Sequence, residues 1–408
     1  MTAPSQNTFL NEKLLIFILS AVQFTHIMDF VIIMPLGPQL MRVFSIDTQQ
    51  FGLLVSSYTF SAGIFGFIGA FYLDKLDRKT ALLWLYGGFT VGTLLCAVSP
   101  SYEFLLSARI LTGAFGGVLG ATVFSIIGDV IPYERRGTAT GMIMSAFSVA
   151  SVIGVPTGLF MASHFGWHST FYLLAATSAL VLWFGIIYLP SMKNHLGQEA
   201  IHKNVFKALI PVITNPNHIR AFALMSAMMF AGFSIIPFIS PYMVFNAGMS
   251  ESQLPYIYLA GGMFTFFTSP WVGRLSDRFG KQRVFFIAAV ASLIPVMLVT
   301  ILPPLPLFAI LGVIIVFFIT VNGRIVPAMA MITGAVEPRF RGSFMAINSS
   351  VQQLSSGFAS LAAGLVIGTT ATGALTNYWI VGLFAVATTV IAIVISKKLK
   401  TPGTHSVK

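Results

Sequence analysis

Charge is scarce in this chain. Only 9% of its 408 residues are Asp, Glu, Lys or Arg, against about 25% in soluble globular proteins, which excludes an ordinary water-soluble enzyme. Cysteine is nearly missing as well. Cys96 stands alone inside an apolar run, so neither a disulfide framework nor a cysteine-rich metal site can form. Acidic residues number 12 against 23 basic ones, a net charge of +11. In a soluble protein that excess would suggest nucleic acid; here the basic residues fall in short loops between apolar runs, as membrane topology requires, and no nucleic-acid partner is expected. No Walker-type loop, catalytic triad or metal cluster is found. No cofactor, no metal and no enzymatic activity are therefore expected.

What the chain does have is apolar length. Hydrophobic residues make up 56% and the mean hydropathy is +0.86, and a bilayer-spanning helix needs about 20 apolar residues. The runs predict spans at 14–40, 50–73, 80–98, 103–128, 137–163 and 167–189, then at 218–245, 252–273, 283–302, 306–333, 342–369 and 375–396. The expected fold is all-α, twelve transmembrane helices in two six-helix bundles: 1–190, and 218–400 with a tail at 401–408. The first run follows Lys13 and is too long for the core of a signal peptide, so it is read as an uncleaved span. Between the bundles, 191–217 holds Lys193, His195, Glu199, His202, Lys203 and Lys207 without a long apolar run and reads as a surface linker.

The basic residues orient this map. Arg42 lies alone on one side, Arg109 and Arg324 lie inside spans, and the other 20 Lys and Arg lie on the side of both termini. The positive-inside rule places that side in the cytoplasm. The two halves also repeat. The loop around Asp74, Arg78 and Lys79 recurs around Asp277, Arg278 and Lys281, an offset of 203, and Arg136-Gly137 recurs as Arg341-Gly342, an offset of 205. Duplicated halves of one orientation point to a rocking transporter with a site between them near the midplane.

Gly273-Arg274-Leu275-Ser276-Asp277-Arg278-Phe279-Gly280-Lys281 resembles the signature loop of the major facilitator superfamily. Its first copy keeps Asp74, Arg78 and Lys79 but has Ala70 and Asp77 at the two glycine positions, which puts the geometry of that turn in question. The resemblance implies cytoplasmic gates: Asp74 against the start of the eleventh helix, Asp277 against the start of the fifth, and Asp129 as the partner of Arg78. Arg109-Ile110-Leu111-Thr112-Gly113 is similar to the arginine motif of proton-coupled members, with a structural arginine near the interface as the alternative. Gly154-Val155-Pro156-Thr157-Gly158 looks like the antiporter motif, although Ala150, Gly154, Gly158 and Ala162 also form a small-residue face suited to close helix packing. Met28-Asp29-Phe30-Val31 with Pro35, and Gly166-Trp167, are similar to the bacterial twelve-helix drug:proton antiporters. An efflux carrier, a monomer in the inner membrane, is what that branch implies. The alternatives are a carrier of a small anionic or sugar-like solute and, in another class, a membrane receptor.

Within the spans, Asp29 is the one deep acid. An ionised carboxylate there costs about 2.5–3.5 kcal/mol, which suits a group that takes up and releases a proton, or else a permanently neutral hydrogen bonder between helices. His26 and Gln23 lie on the same helical face, and a His and Asp at that spacing could exchange or share a proton; a metal held by that pair lacks further ligands. Arg324, after Asn322 and before Pro327, either pairs with Asp29, meets an anionic group of the substrate, or joins helices. Tyr58, Met229, Phe230, Asn348 and Gln352 complete the expected substrate cavity, together with Gln23, Asn322 and Arg324.

Overall fold

The computed structural model describes residues 12–72, 76–193, 205–337, 340–370 and 373–400. Almost all of them are helical. Twelve helical passes are present among these residues, and where a pass is broken, proline accounts for the break. The first pass is α1 (Glu12–Ile32) followed by α2 (Gly37–Val43). Pro35 has no N–H to give and its ring clashes with the preceding turn, so α1 stops three residues before it, and Pro38 opens α2. The second to fourth passes are α3 (Thr48–Tyr72), α4 (Arg78–Ala97) and α5 (Tyr102–Val130). The fifth is α6 (Tyr133–Val149), a π-helical turn at Ala150–Gly154, and α7 (Val155–Phe165). The wider turn sits just before Pro156, where the missing donor and the ring demand room. Gly166, at φ +82°, turns the chain into α8 (Trp167–Tyr188), and a short α9 (Val205–Thr214) lies in the linker.

The second half repeats the plan. Its first pass is α10 (Pro216–Phe233) and α11 (Ile236–Phe245), broken ahead of Pro237 as the first pass is broken at Pro35. Then come α12 (Leu254–Phe279), α13 (Lys281–Thr300), α14 (Leu307–Gly334), α15 (Arg341–Val366) and α16 (Tyr378–Lys398), with a two-residue ladder of β1 (Gly368–Thr369) and β2 (Leu375–Thr376) before the last. Ten helical stretches among the described residues are long and apolar enough to span a membrane. Neither α12 nor α15 is among them. The reason for α15 is plain: it carries Asn348, Gln352, Gln353 and a series of serines, and α3 and α10 pack along it.

Small residues bring the halves together along α3 and α15. A Cβ on Gly52 would stand 2.9 Å from the Ser360 carbonyl, and one on Gly357 would stand 2.7 Å from the Thr59 hydroxyl. At the end holding Arg42, this seam is shut. Arg42 pairs with Glu251 and the Thr48 hydroxyl donates to the Ile367 carbonyl, while a Cβ on Gly37 of α2 would press to 2.9 Å from Pro241 of α11. At the opposite, basic end, Gly137 and Gly141 of α6 and Gly342 of α15 have open space where a side chain would go, and Met144, Ser145 and Ser148 of α6 line a cavity of about 730 Å³ together with Phe266, Phe267 and Arg274 of α12.

Candidate functional site

Asp29 lies three residues from the end of α1, fully buried, and both its oxygens are engaged. Arg109 on α5, also fully buried, donates from Nη1 to Oδ2 at 2.7 Å and to the Asp29 carbonyl at 3.2 Å. Thr93 on α4 donates its hydroxyl to Oδ1 at 3.1 Å. Three helices thus meet on one carboxylate. The guanidinium also lies over the Tyr58 ring, 4.4 Å from its centroid, and Phe30 stacks on the same tyrosine at 5.4 Å. Tyr58 is therefore a buried wall beneath the ion pair and not an open cavity surface.

Two expectations about Asp29 are corrected here. His26 makes no hydrogen bond to it: both of its ring nitrogens are without a partner among the described residues, and the ring lies edge-on to Phe89 at 5.9 Å. Arg324 does not pair with it either, since Arg109 is the guanidinium that reaches it. Arg109 is also no interfacial arginine, having no exposed surface. Close to the pair, Tyr58 Oη, both ring nitrogens of His26 and Gln23 Oε1 are buried without a hydrogen-bond partner among the described residues. Tyr58 Oη and His26 Nε2 both press against Gly116 of α5, where an added Cβ would lie 2.4 Å from the first and 3.2 Å from the second.

In the second half, Arg324 of α14 is fully buried and donates from Nη1 to Thr389 Oγ1 of α16 at 2.7 Å and to Ser292 Oγ of α13 at 3.2 Å. No carboxylate accompanies it among the described residues. The other cavity candidates do not gather into one polar site. Asn322 bonds back to the Phe318 carbonyl of its own helix. Met229 is buried in the apolar core of the second half, and Phe230 meets Phe384 of α16 edge-on. Asn348 is buried with Oδ1 unpartnered, while Gln352 is half-buried. Gly154 and Gly158 sit against α1, where an added Cβ would come within 2.8 Å of Met28 at either place.

Of the gate residues, Arg78 donates Nε to Asp129 Oδ2 at 2.8 Å, and Lys79 reaches the Ile186 carbonyl. Asp74 lies outside the described residues. Asp277 makes no hydrogen bond to a described residue; with Gly280, Lys281 and Arg283 it lines a cavity of about 460 Å³ within its own half. Arg278 lies over Phe279, and Gly280, at φ +93°, makes the turn into α13 that Gly273, six residues before the end of α12, does not. Asp77, read in the sequence as a misplaced glycine position, is the N-cap of α4. It also accepts from the Met192 N–H at 2.7 Å and the Ser191 hydroxyl at 3.0 Å. Its partial burial pushes its pKa up, but the donors from Met192, Ser191, Lys79 and Thr80 outweigh that and hold it below the usual carboxylate range.

Several functional neighbours escaped the sequence: Thr93, Ser292, Thr389 and Gly116. Hydroxyls and glycines within apolar runs look alike until helices are assembled. Asp77 was legible, since Asp followed by Arg78-Lys79-Thr80 at the start of an apolar run is an N-cap pattern.

The geometry agrees with what known proteins show. The model of the Major Facilitator Superfamily matches residues 19–326 and 222–407. The chain is 29% identical over 377 residues to "Uncharacterized MFS-type transporter YwfA" of Bacillus subtilis (strain 168), covering 90% of this chain and 87% of that one. It is 24% identical to "Multidrug resistance protein 3" of the same organism over 74% of this chain and 69% of that one. The solved structure of a D-xylose-proton symporter superposes with a TM-score of 0.78 at 16% identity, covering 96% and 99% of the two chains. With twelve helical passes among the described residues, two halves packed along α3 and α15 and a family match running through both, the chain belongs to the Major Facilitator Superfamily and is a multi-pass membrane transporter, not an enzyme.

Proposed function

We propose that the chain is a proton-coupled secondary transporter that exports small amphipathic compounds from the cytoplasm by alternating access. The observation that carries this reading is the buried pair of Asp29 and Arg109 at 2.7 Å. A carboxylate so deep is costly unless paired. When a proton neutralises Asp29, the attraction that holds α1 to α5 weakens, and Arg109 is left with the Asp29 carbonyl and the Tyr58 face. Loading a proton is thereby tied to the packing of the first half. Export of drug-like compounds is supported by the relative named Multidrug resistance protein 3 and by the adaptable Phe and Met content, 38 and 18 residues.

In this reading the halves 1–190 and 218–400 rock about the α3 and α15 seam, joined by 191–217. The 20 basic residues at one end support a cytoplasmic location of the termini in a bacterial inner membrane. The seam, shut at the Arg42 end, is then closed to the outside, and the state is inward-facing. Asp74 and Asp277 close the cytoplasmic side in the opposite state, when the starts of α15 and α6 approach them and their helix dipoles attract a carboxylate. The protein acts as a monomer. The test is transport in proteoliposomes under an imposed pH gradient. Asp29→Asn is expected to abolish pH-driven accumulation while substrate exchange persists; full coupling in that variant ends the proposal.

A further inference from the structure

Arg324 presents a problem of charge that the transport reading leaves unsolved. Its guanidinium stays protonated in any environment, and it is fully buried. The second half has only three acidic residues, Glu251, Asp277 and Glu337. Glu251 is engaged with Arg42 at one end of the seam; Asp277 lies in the last turn of α12 and Glu337 follows α14, so no acid of this half lies at the depth of Arg324. In the first half Asp29 is already neutralised by Arg109. Among the described residues, and apart from the Arg78 and Asp129 pair at the helix ends, the buried interior therefore holds Arg109 and Arg324 against the single carboxylate of Asp29, an excess of one positive charge.

The way Arg324 is anchored says what can supply the missing charge. Its Nη1 gives both hydrogens away, to Ser292 and Thr389. Those hydroxyls direct their own protons at the Ala289 and Ala385 carbonyls, each at 2.7 Å, so they can only accept. The guanidinium plane is held by one nitrogen, and Nε and Nη2 are left without a partner among the described residues. These two nitrogens form the side-on fork that matches the paired oxygens of a carboxylate. Arg109 leaves the same fork open, but there the charge is balanced and Tyr58 covers the face. An open fork alone is thus not the argument; an open fork on an uncompensated charge is.

We propose that Arg324 binds a monovalent oxyanion of the carboxylate type at its Nε and Nη2 edge, either a small resident anion or the carboxylate of a transported compound. Access to a buried group requires the halves to open, so occupancy changes with the transport cycle. The binding does not depend on proton uptake by Asp29, and its failure leaves the proton-coupled reading untouched.

The experiment is thermal unfolding of the purified full-length protein in detergent at neutral pH, at constant ionic strength, with sodium formate, acetate or benzoate replacing chloride. A saturable rise in Tm with carboxylate is expected in the wild type. Arg324→Lys, which keeps a point charge but has no fork, should weaken the apparent carboxylate affinity at least about tenfold and remove the preference over chloride. Arg324→Gln should lose the response. Should Arg324→Gln not fold, Arg324→Lys and Thr389→Asp, which supplies an internal carboxylate, carry the same test. Counterflow of labelled benzoate in proteoliposomes that is lost in Arg324→Lys assigns the oxyanion to the cargo. Saturable stabilisation without counterflow assigns it to a resident ion. No saturable response in the wild type, or an equal one in Arg324→Lys, overturns the proposal.

Discussion

Arg109 and Arg324 occupy the fourth helix of their respective halves, and neither has any exposed surface. One faces a carboxylate, a threonine-held hydrogen-bond network and an aromatic face; the other faces two hydroxyls. The halves share their helix order and even the proline break of their first pass, yet their buried chemistry has diverged. The pair in the first half can be switched off by a single proton. The lone cation in the second half cannot, since guanidinium does not titrate in this range, and it needs a partner from outside the chain. The contrast suggests a division of labour in which one half answers to protons and the other to an anion.

The comparison breaks most severely if the ion pair is split. Arg109→Gln leaves Asp29 with Thr93 alone, and removing one member of a buried pair typically costs about 3–5 kcal/mol. Both stability and pH-driven transport should collapse. Joining it with Asp29→Asn should recover much of the stability, read as Tm, but none of the coupling. If the double variant is no more stable than Arg109→Gln, the pair is not what holds α1 to α5.

The comparison sharpens if the second half is made to resemble the first. Thr389→Asp puts a carboxylate where a hydroxyl now accepts from Arg324 at 2.7 Å. A neutralised guanidinium has no call for an external anion, so the carboxylate-dependent rise in Tm should disappear and the anion-free protein should become the more stable one. A response equal to that of the wild type would show that Arg324 is not the origin of the effect.

A smaller effect is expected at Gly116. An added methyl must displace Tyr58 Oη or His26 Nε2, and overpacking of this kind costs about 1–3 kcal/mol. Because Tyr58 supports Arg109, Gly116→Ala should shift the pH dependence of transport as well as lower Tm. Gly120, one turn along α5, has open space at its Cβ, so Gly120→Ala should be neutral or stabilising by up to about 1 kcal/mol. Equal pH profiles in the two variants would separate Tyr58 from the proton site.

Much of the architecture could be read before any coordinates, because span length, loop charge and the repeated Asp277 and Arg341 signatures are each imposed by the bilayer or by the fold. Asp29, Arg109 and Arg324 stood out for the same reason: ionisable groups at that depth are expensive. Their pairing could not be read. Asp29 has two deep arginines to choose from, and only helix packing decides that α5, not α14, comes within reach. Nor did the sequence disclose Thr93 or Thr389, since a threonine in an apolar helix most often bonds to its own backbone, as Thr112 and Thr122 do here.

The smallest expected effect lies away from the membrane interior and tests whether the first half's connection to the linker matters. Asp77 caps α4 and accepts from Ser191 and Met192 just after α8, while Arg78 beside it donates its N–H to the Met192 carbonyl and its side chain to Asp129. One short segment thus ties the ends of three helices to the start of the linker. The Asp77 pKa is depressed, so the stability it contributes is fully present above the ordinary carboxylate value of about 3.9 and is lost as pH falls below it through the depressed value. At neutral pH, Asp77→Asn keeps an oxygen that can still cap but removes the charge. N-cap losses run from about 0.5 to 2 kcal/mol, and this conservative change belongs at the low end. Asp77→Ala removes the acceptor altogether and should cost more, with increased proteolysis after residue 193 as the local readout. Tm values unchanged by Asp77→Ala, with the same proteolysis rate as wild type, would show that this residue does no more than begin a helix.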